Sequence, residues 1–167
     1  MGDEEDETQI KFPEIAEEIM QRVRVDQEMR KDCAKTGARM DSNIDIDNTR
    51  RMKEIVEEIG WPSKGVVGEE AAQGAWLLVQ HADYDVDFQE GCLKMMKSLP
   101  EDEVSTINIA YLEDRVRCNK GRPQLYGTQF KRPIEDPEYV DERRVNVGLG
   151  SLAEYEKDMR EVYGNGK

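Results

Sequence analysis

Apolar residues recur every three or four positions along most of this 167-residue chain, a spacing typical of amphipathic α-helices. The first predicted helix begins at Pro13 and ends near Gly37, where glycine suits a helix C-terminus. A second is expected to run from a cap at Asp47 to Gly60. The pattern as a whole predicts an all-α fold, a compact bundle of about six helices.

The helix predicted at residues 69–81 differs from the others because apolar side chains cover nearly all of its faces. Such a helix is typically central and buried, so Trp76 and Leu77 are expected to be almost fully buried. Gly74 within it indicates close approach by another helix. From residue 119 to 137 the helical period is lost, and we expect a long, ordered irregular segment with a possible short hairpin.

Two more helices are predicted after this segment. A short one runs from Asp136-Pro137 through Arg144. The motif Ser151-Leu-Ala-Glu154 is a capping box for the last helix. The apolar residues of that helix are expected to be buried, namely Leu152, Tyr155, Met159 and Val162.

Composition narrows the class of protein. The net charge is −13, and five acids within residues 2–7 predict a disordered acidic tail at residues 1–9, ahead of a single α-helical domain at residues 10–167. The acidic balance argues against a nucleic-acid partner, and no apolar run is long enough to span a membrane. Three separate cysteines without a signal peptide predict a cytoplasmic protein with reduced thiols.

His81 is the only histidine and lies where the central helix gives way to a polar turn. A helix C-terminus favours an imidazolium, and Asp83 is close enough in sequence to orient the ring. A base with an orienting carboxylate is the arrangement of a general acid/base. The alternative is that His81 only caps its helix. Gln80, beside it, is a candidate ligand contact.

A second group of candidates follows the fifth predicted helix. Asp114 and Arg115 are helix neighbours that face different ways, so we expect different partners: an anion for Arg115, and an arginine or His81 for Asp114. Tyr126 could donate to a developing negative charge. The polar side chains around Gly127 either contact a ligand, which we favour, or pin the segment to the domain: Gln124, Tyr126, Thr128 and Gln129.

Residues 41–47 imitate the start of a calcium loop, but Ile46 stands at the glycine position and Met52 at that of the bidentate glutamate. We therefore expect a polar loop without tight calcium binding. Asn48 and Arg51, just beyond it, are candidate ligand contacts facing a cleft. One histidine and scattered thiols do not build a zinc site. No metal site and no cofactor are predicted, and only a weakly held magnesium ion on carboxylates stays open.

Four blocks in this order resemble an uncharacterised bacterial domain family: GWPSKGVVG at 60–68, WLLVQHAD at 76–83, LEDRV at 112–116 and QLYGTQF at 124–130. The resemblance covers about residues 45–155 of this chain, which is most of it. It implies no activity. It does mark out the matching positions Gln80, His81, Asp114, Arg115, Gln124, Tyr126, Gly127, Thr128 and Gln129.

These features together predict a small α-helical enzyme that performs hydrolysis or group transfer on a small anionic or polar substrate. His81 would be the acid/base, with Asp114 and Tyr126 as further catalytic residues. The alternative is a non-catalytic protein-interaction or ligand-binding module, whose protein partner the sequence does not identify. A cleft shared by His81, Arg115 and Gln129 would favour the enzyme.

Overall fold

The apolar spacing predicts helices, and the computed structural model, which describes residues 9–164, contains eight α-helices and one 3-10 helix in that range. The α-helices are α1 (Pro13–Thr36), α2 (Ser42–Ile59), α3 (Lys64–Val67), α4 (Glu69–Gln80), α5 (Val86–Ser98), α6 (Thr106–Asn119), α7 (Val140–Asn146) and α8 (Leu152–Tyr163), with the 3-10 helix Pro137–Tyr139 before α7. Residues 9–164 form no β-strand, so the all-α class is confirmed, although the helices number eight rather than about six. The predicted tail, apart from Gln9, lies outside the described residues.

The chain divides into two units. The first runs to Ala82 and includes Asp102–Val104, so it contains α1 to α4. The second comprises Asp83–Glu101 and the residues from Ser105 onward, so it contains α5 to α8. The single domain expected for residues 10–167 stays a prediction. None of the helices in the described part of the chain is long and apolar enough to cross a membrane.

In the first unit, α4 packs against each of α1, α2 and α3. Its buried face is a stripe at helical spacing that includes Ala71, Gly74, Ala75 and Leu78. The expectation that Trp76 and Leu77 are almost fully buried is wrong, because both fall beside this stripe and are half-buried. Apolar residues on nearly all faces of α4 therefore predicted more burial than the structure shows.

Gly74 lies where α4 packs tightly against α1. A β-carbon built there would lie 3.0 Å from Val23 Cγ2 and 3.1 Å from Ile19 Cγ2, both on α1. The close helix approach predicted from this glycine is confirmed.

We expect Gly74→Leu to lower the free energy of unfolding by about 1–3 kcal/mol, because the added atoms overpack the contact with α1. The matched control is Gly91→Leu in α5, where a β-carbon would have no atom within 4 Å. That change should be neutral or stabilising by up to about 1 kcal/mol, since glycine disfavours a helix. Urea unfolding measures both, and equal losses would contradict the close approach.

The start of α2 differs from the prediction. Asp41, rather than Asp47, caps the helix, and its carboxylate accepts the backbone N–H of Asn43 at 2.9 Å. The stretch that imitates a calcium loop is therefore mostly helical, and Asp47 lies inside α2. Both aspartates suit an N-cap, so local chemistry alone did not distinguish them.

In the second unit, α5 packs against α6, and α7 packs against α8. The predicted capping box is confirmed, with Ser151 and Glu154 bonded reciprocally at the start of α8. The expected burial of α8 is wrong: Leu152, Tyr155 and Met159 are half-buried, and Val162 is 72% exposed. An apolar face shows which side of a helix can pack, but it does not supply a neighbour for every turn.

Between α6 and the 3-10 helix, residues 120–136 form no helix, as the loss of period predicts. The possible hairpin is wrong, because the only ladder contact among the described residues is an isolated parallel bridge between Gln124 and Ile134. A hairpin needs antiparallel pairing across a tight turn. Side chains of α6 and α7, described below, hold this segment instead.

Candidate functional site

A charged pair interrupts the apolar face of α1. Asp26 and Arg30 continue the stripe of Ile19 and Val23 at spacings of three and four residues, so all lie on one side of the helix. Asp26 is fully buried. A buried carboxylate is very costly unless it is paired and hydrogen-bonded, so this position requires partners.

His81 is one of these partners. It caps α4 through a backbone N–H that donates to the Leu77 carbonyl at 3.2 Å. Its Nδ1 lies 3.1 Å from Asp26 Oδ1 and 3.1 Å from Arg30 Nε. We assign the Nδ1 proton to the bond with Asp26, because a carboxylate is the stronger acceptor and Arg30 Nε–H also donates to Asp26. The carboxylate that orients the ring is therefore Asp26 on α1, not Asp83 as the sequence suggested.

Arg30 extends the group to α2. Its Nη2 lies 2.6 Å from Asp45 Oδ1 and 3.2 Å from Asp26 Oδ1. We name these four residues, Asp26, Arg30, Asp45 and His81, the Asp26 cluster. With a protonated imidazole, its two positive and two negative charges balance, which makes their shared burial possible.

The two carboxylates of the Asp26 cluster differ in acidity. Burial raises the pKa of Asp26, but the hydrogen bond and charge of His81, with the bond from Arg30, outweigh it and lower the pKa to about 2. Burial also raises the pKa of Asp45, and there it prevails over Arg30. Groups whose surroundings separate their pKa values in this way are typical of acid/base sites.

The Asp26 cluster also contains a set of groups that can ligate a metal ion. One ligand atom from each of Asp26, Asp45 and His81 lies within 4.8 Å of the others. Arg30 is hydrogen-bonded to both carboxylates, and its Nε lies 3.1 Å from His81 Nδ1, so its guanidinium is in contact with all three groups. A divalent ion would have to displace that side chain.

Next to the cluster, α1 and α2 enclose a groove of about 480 Å³, which we call the α1–α2 groove. Its volume is in the range of small-molecule sites. Arg22 lines it and lies four residues before Asp26, so the groove comes within one helical turn of the cluster. The lining residues are Glu18, Gln21, Arg22, Val25, Asn43, Ile44, Asp47 and Asn48.

Of the two ligand candidates on α2, Asn48 lines this groove. Arg51 instead binds Glu18 through two bonds, Nε at 2.8 Å and Nη2 at 2.9 Å. Such a bidentate pair fixes the Glu18 carboxylate in one orientation. Arg51 therefore shapes one wall of the groove through Glu18.

In the second unit, Asp114 holds the irregular segment. Its fully buried carboxylate accepts the backbone N–H groups of Leu125 at 2.7 Å, Tyr126 at 3.1 Å and Thr128 at 3.0 Å, and the Thr128 hydroxyl at 2.9 Å. Gly127 fits among them because its φ is +70° and a β-carbon would meet Leu152 Cδ1 at 2.6 Å. The hydrogen bonds of Asp114 therefore all go to this segment, mostly to its backbone.

Two arginines of α7 bind the carbonyl groups of the same segment. Arg143 Nε donates to the Leu125 carbonyl at 2.7 Å, and Arg144 Nη1 donates to the Tyr126 carbonyl at 2.7 Å. Gln124 is fully buried and donates through Nε2 to the Gln129 carbonyl at 2.8 Å. These bonds favour self-pinning of the segment over the ligand contact preferred from the sequence.

Arg115 is paired within the second unit. Its guanidinium binds both carboxylate oxygens of Asp83, and its Nη1 donates to Gln129 Oε1 at 3.1 Å. Gln129 Nε2 in turn donates to the Thr128 hydroxyl at 3.1 Å. The structure thus brings these predicted residues into one network with Asp114. The shared pocket of His81 and Arg115 stays a prediction, and Gln80 is buried at the end of α4.

Sequence reasoning missed Asp26, Arg30 and Asp45. A usable signal was present for the first two, because an acid and a base four residues apart on an apolar stripe predict a buried ion pair. Asp45 carried no such signal, since its neighbours Asp41 and Asp47 have the same local character.

No curated protein and no solved structure matches the chain. Residues 13–166 match the model of a family described as Family of unknown function (DUF6624). The resemblance to an uncharacterised family is confirmed, and because the match runs from the first residue of α1 to beyond the end of α8, the chain belongs to this family.

Proposed function

We propose that this protein is an enzyme that hydrolyses, or transfers a group from, a small polar substrate, with His81 as the acid/base. The observation that carries the proposal is the pairing of His81 Nδ1 with the fully buried Asp26 carboxylate at 3.1 Å. A base whose far nitrogen is fixed by a buried acid has a defined tautomer and a defined direction.

With the proton on Nδ1, the His81 Nε2 atom is a free base. It removes a proton from a water molecule or a substrate hydroxyl as that oxygen attacks the substrate. The resulting imidazolium is stabilised by Asp26, and it returns the proton from Nε2 to the leaving group. His81 takes up one proton and returns one, so the cycle leaves its protonation unchanged, and no redox step is needed.

The rest of the first unit supports this assignment. The His81 side chain is 15% exposed, so it is mostly enclosed but still partly open to solvent. The α1–α2 groove lies one helical turn from Asp26 and has room for a small molecule. Arg30, paired with both aspartates, keeps the site neutral when His81 is protonated.

We assign no catalytic residue to the second unit, whose polar residues hold the irregular segment. Asp114, Gln124 and Thr128 make their hydrogen bonds inside the irregular segment, so they are better suited to hold it than to react. Arg115 is neutralised by Asp83, which leaves less positive charge for a substrate anion. The proposal therefore rests on His81 and Asp26 alone.

The test is a panel of chromogenic carboxylic esters, anilides, phosphate esters and glycosides, assayed with wild-type protein and His81→Gln. We expect turnover in one class and a loss of kcat/KM of roughly 10²–10⁴-fold in the variant, the usual contribution of a positioned acid/base. Asp26→Asn should also reduce kcat. Lys94→Gln, at a 75% exposed side chain of α5, is the control and should match the wild type.

Two results would contradict the proposal. One is full activity in a folded His81→Gln protein, which would leave the imidazole only the structural role of capping α4. The other is no turnover in any of the four classes, which would favour a ligand-binding module. Imidazole ¹⁵N chemical shifts give a readout independent of activity, since they report which nitrogen of His81 carries the proton.

A further inference from the structure

Asn48, which lines the α1–α2 groove, has a buried donor without a partner among the described residues. Asn48 is 5% exposed, and its Nδ2 atom has no hydrogen-bond partner within residues 9–164. Its Oδ1 atom accepts from Arg22 Nη1 at 3.2 Å, which fixes the direction of the amide. Buried donors are nearly always bonded, so this one indicates an acceptor that binds there.

Arg22 supplies a second donor beside Asn48. Its Nε binds Glu18 at 3.0 Å, and its Nη1 binds Asp47 at 2.9 Å as well as Asn48. These bonds use Nε and Nη1, and none uses Nη2. An oxygen acceptor placed here would meet an amide donor and a guanidinium together, which suits a carboxylate.

The groove is nevertheless too acidic for a simple anion. Glu18 and Asp47 both line it, and hydrogen bonds from Arg51 to Glu18 and from Arg22 to Asp47 hold the pKa of each carboxyl below its ordinary value. A phosphate or sulfate near Arg22 would face both negative charges. A ligand that also carries an ammonium group would pair with them instead.

The remaining lining includes two aliphatic side chains. Val25 of α1 and Ile44 of α2 both line the groove, and Val25 is 48% exposed. An exposed aliphatic side chain beside converging polar groups is typical of a small-molecule site, where apolar contact adds to polar recognition.

We propose that the α1–α2 groove binds a small molecule bearing a carboxylate, an ammonium and a short aliphatic group, as an aliphatic α-amino acid does. The carboxylate faces Asn48 Nδ2 and Arg22, and the ammonium faces the acids of the groove. The aliphatic group covers Val25 and Ile44. In treating this groove as the substrate site, the inference rests on the proposed function.

The test is a ¹H–¹⁵N NMR titration of the full chain with three probes: L-leucine, 4-methylpentanoate, which lacks the ammonium, and 3-methylbutylamine, which lacks the carboxylate. We expect saturable shifts at Asn48 and Arg22 with L-leucine and at least about tenfold weaker binding of the other two, since each loses one charged contact. Asn48→Asp keeps an acceptor for Arg22 but replaces the donor with a negative charge, so it should weaken L-leucine binding at least about tenfold.

Asn146→Asp makes the same chemical change at an exposed position of α7 and should leave binding unchanged. If Asn48→Asp does not fold, Val25→Trp fills the groove from a half-exposed position and should block L-leucine. No L-leucine binding to the wild type, or equal binding of the three probes, would overturn the inference. His81→Gln distinguishes the two proposals. If this variant still binds L-leucine and turns over the chromogenic substrate as fast as the wild type, the proposed function is wrong and the binding site in the α1–α2 groove stands.

Discussion

Asp114→Ala should lower the free energy of unfolding by about 3–5 kcal/mol, because a buried donor left without its acceptor costs about 1–3 kcal/mol. The fully buried carboxylate accepts three backbone N–H groups and one hydroxyl from residues 125–128. Two of the donors belong to Thr128, which is itself buried. Removal of the carboxylate therefore leaves all four donors without this acceptor.

Urea unfolding of two further variants isolates the cause. Asp114→Asn keeps one acceptor oxygen and should lose less stability than Asp114→Ala. Glu113→Ala, at the neighbouring position, removes an ion pair with Lys97 that is partly exposed, so the loss should stay below about 1 kcal/mol. If Glu113→Ala costs as much as Asp114→Ala, the carboxylate does not hold the segment.

Asp26→Ala should also cost about 3–5 kcal/mol near neutral pH, because it removes one partner from a buried charge pair. The loss should depend on pH in a defined direction. The folded-state pKa of Asp26 is lowered to about 2, below the ordinary value of 3.8, so the pairing stabilises the fold fully above pH 3.8. That contribution disappears as the pH falls through about 2.

The measurement is the difference in free energy of unfolding between wild type and Asp26→Ala at several pH values. It should shrink as the pH falls from about 4 towards 2, since protonated Asp26 no longer pairs with Arg30 and His81. Glu54→Ala, whose carboxylate is 46% exposed on α2, should cost less than about 1 kcal/mol throughout. A difference that grows in acid would mean that Asp26 is not ionised in the folded protein.

Local chemistry was sufficient for much of the fold. Pro13, Gly37 and Gly60 mark helix ends that the structure has at the same places, because these residues act through their own backbone geometry. The burial of α8 was not predictable in this way. Whether Val162 is covered depends on a neighbouring element, and the apolar period contains no information on that neighbour.

The candidate site shows the same division. The sequence located His81, but proximity along the chain pointed to Asp83, whereas the partner Asp26 lies 55 residues away. A pairing over that distance is created by packing of α4 on α1, which no local pattern specifies. The density of polar groups around Gly127 was visible, but their use within the segment depends on Asp114, Arg143 and Arg144 and appears only in three dimensions.

The bonds that hold the irregular segment have a consequence for the order of folding. Asp114 precedes its partners by 11 to 14 residues, and Arg143 and Arg144 follow theirs by 18. Closing such short loops costs little chain entropy, and local contacts form faster than distant ones. Asp26 and His81 must instead close a 55-residue interval. The segment around Gly127 is therefore expected to become ordered early, and the Asp26–His81 pair to assemble only once the first unit has condensed.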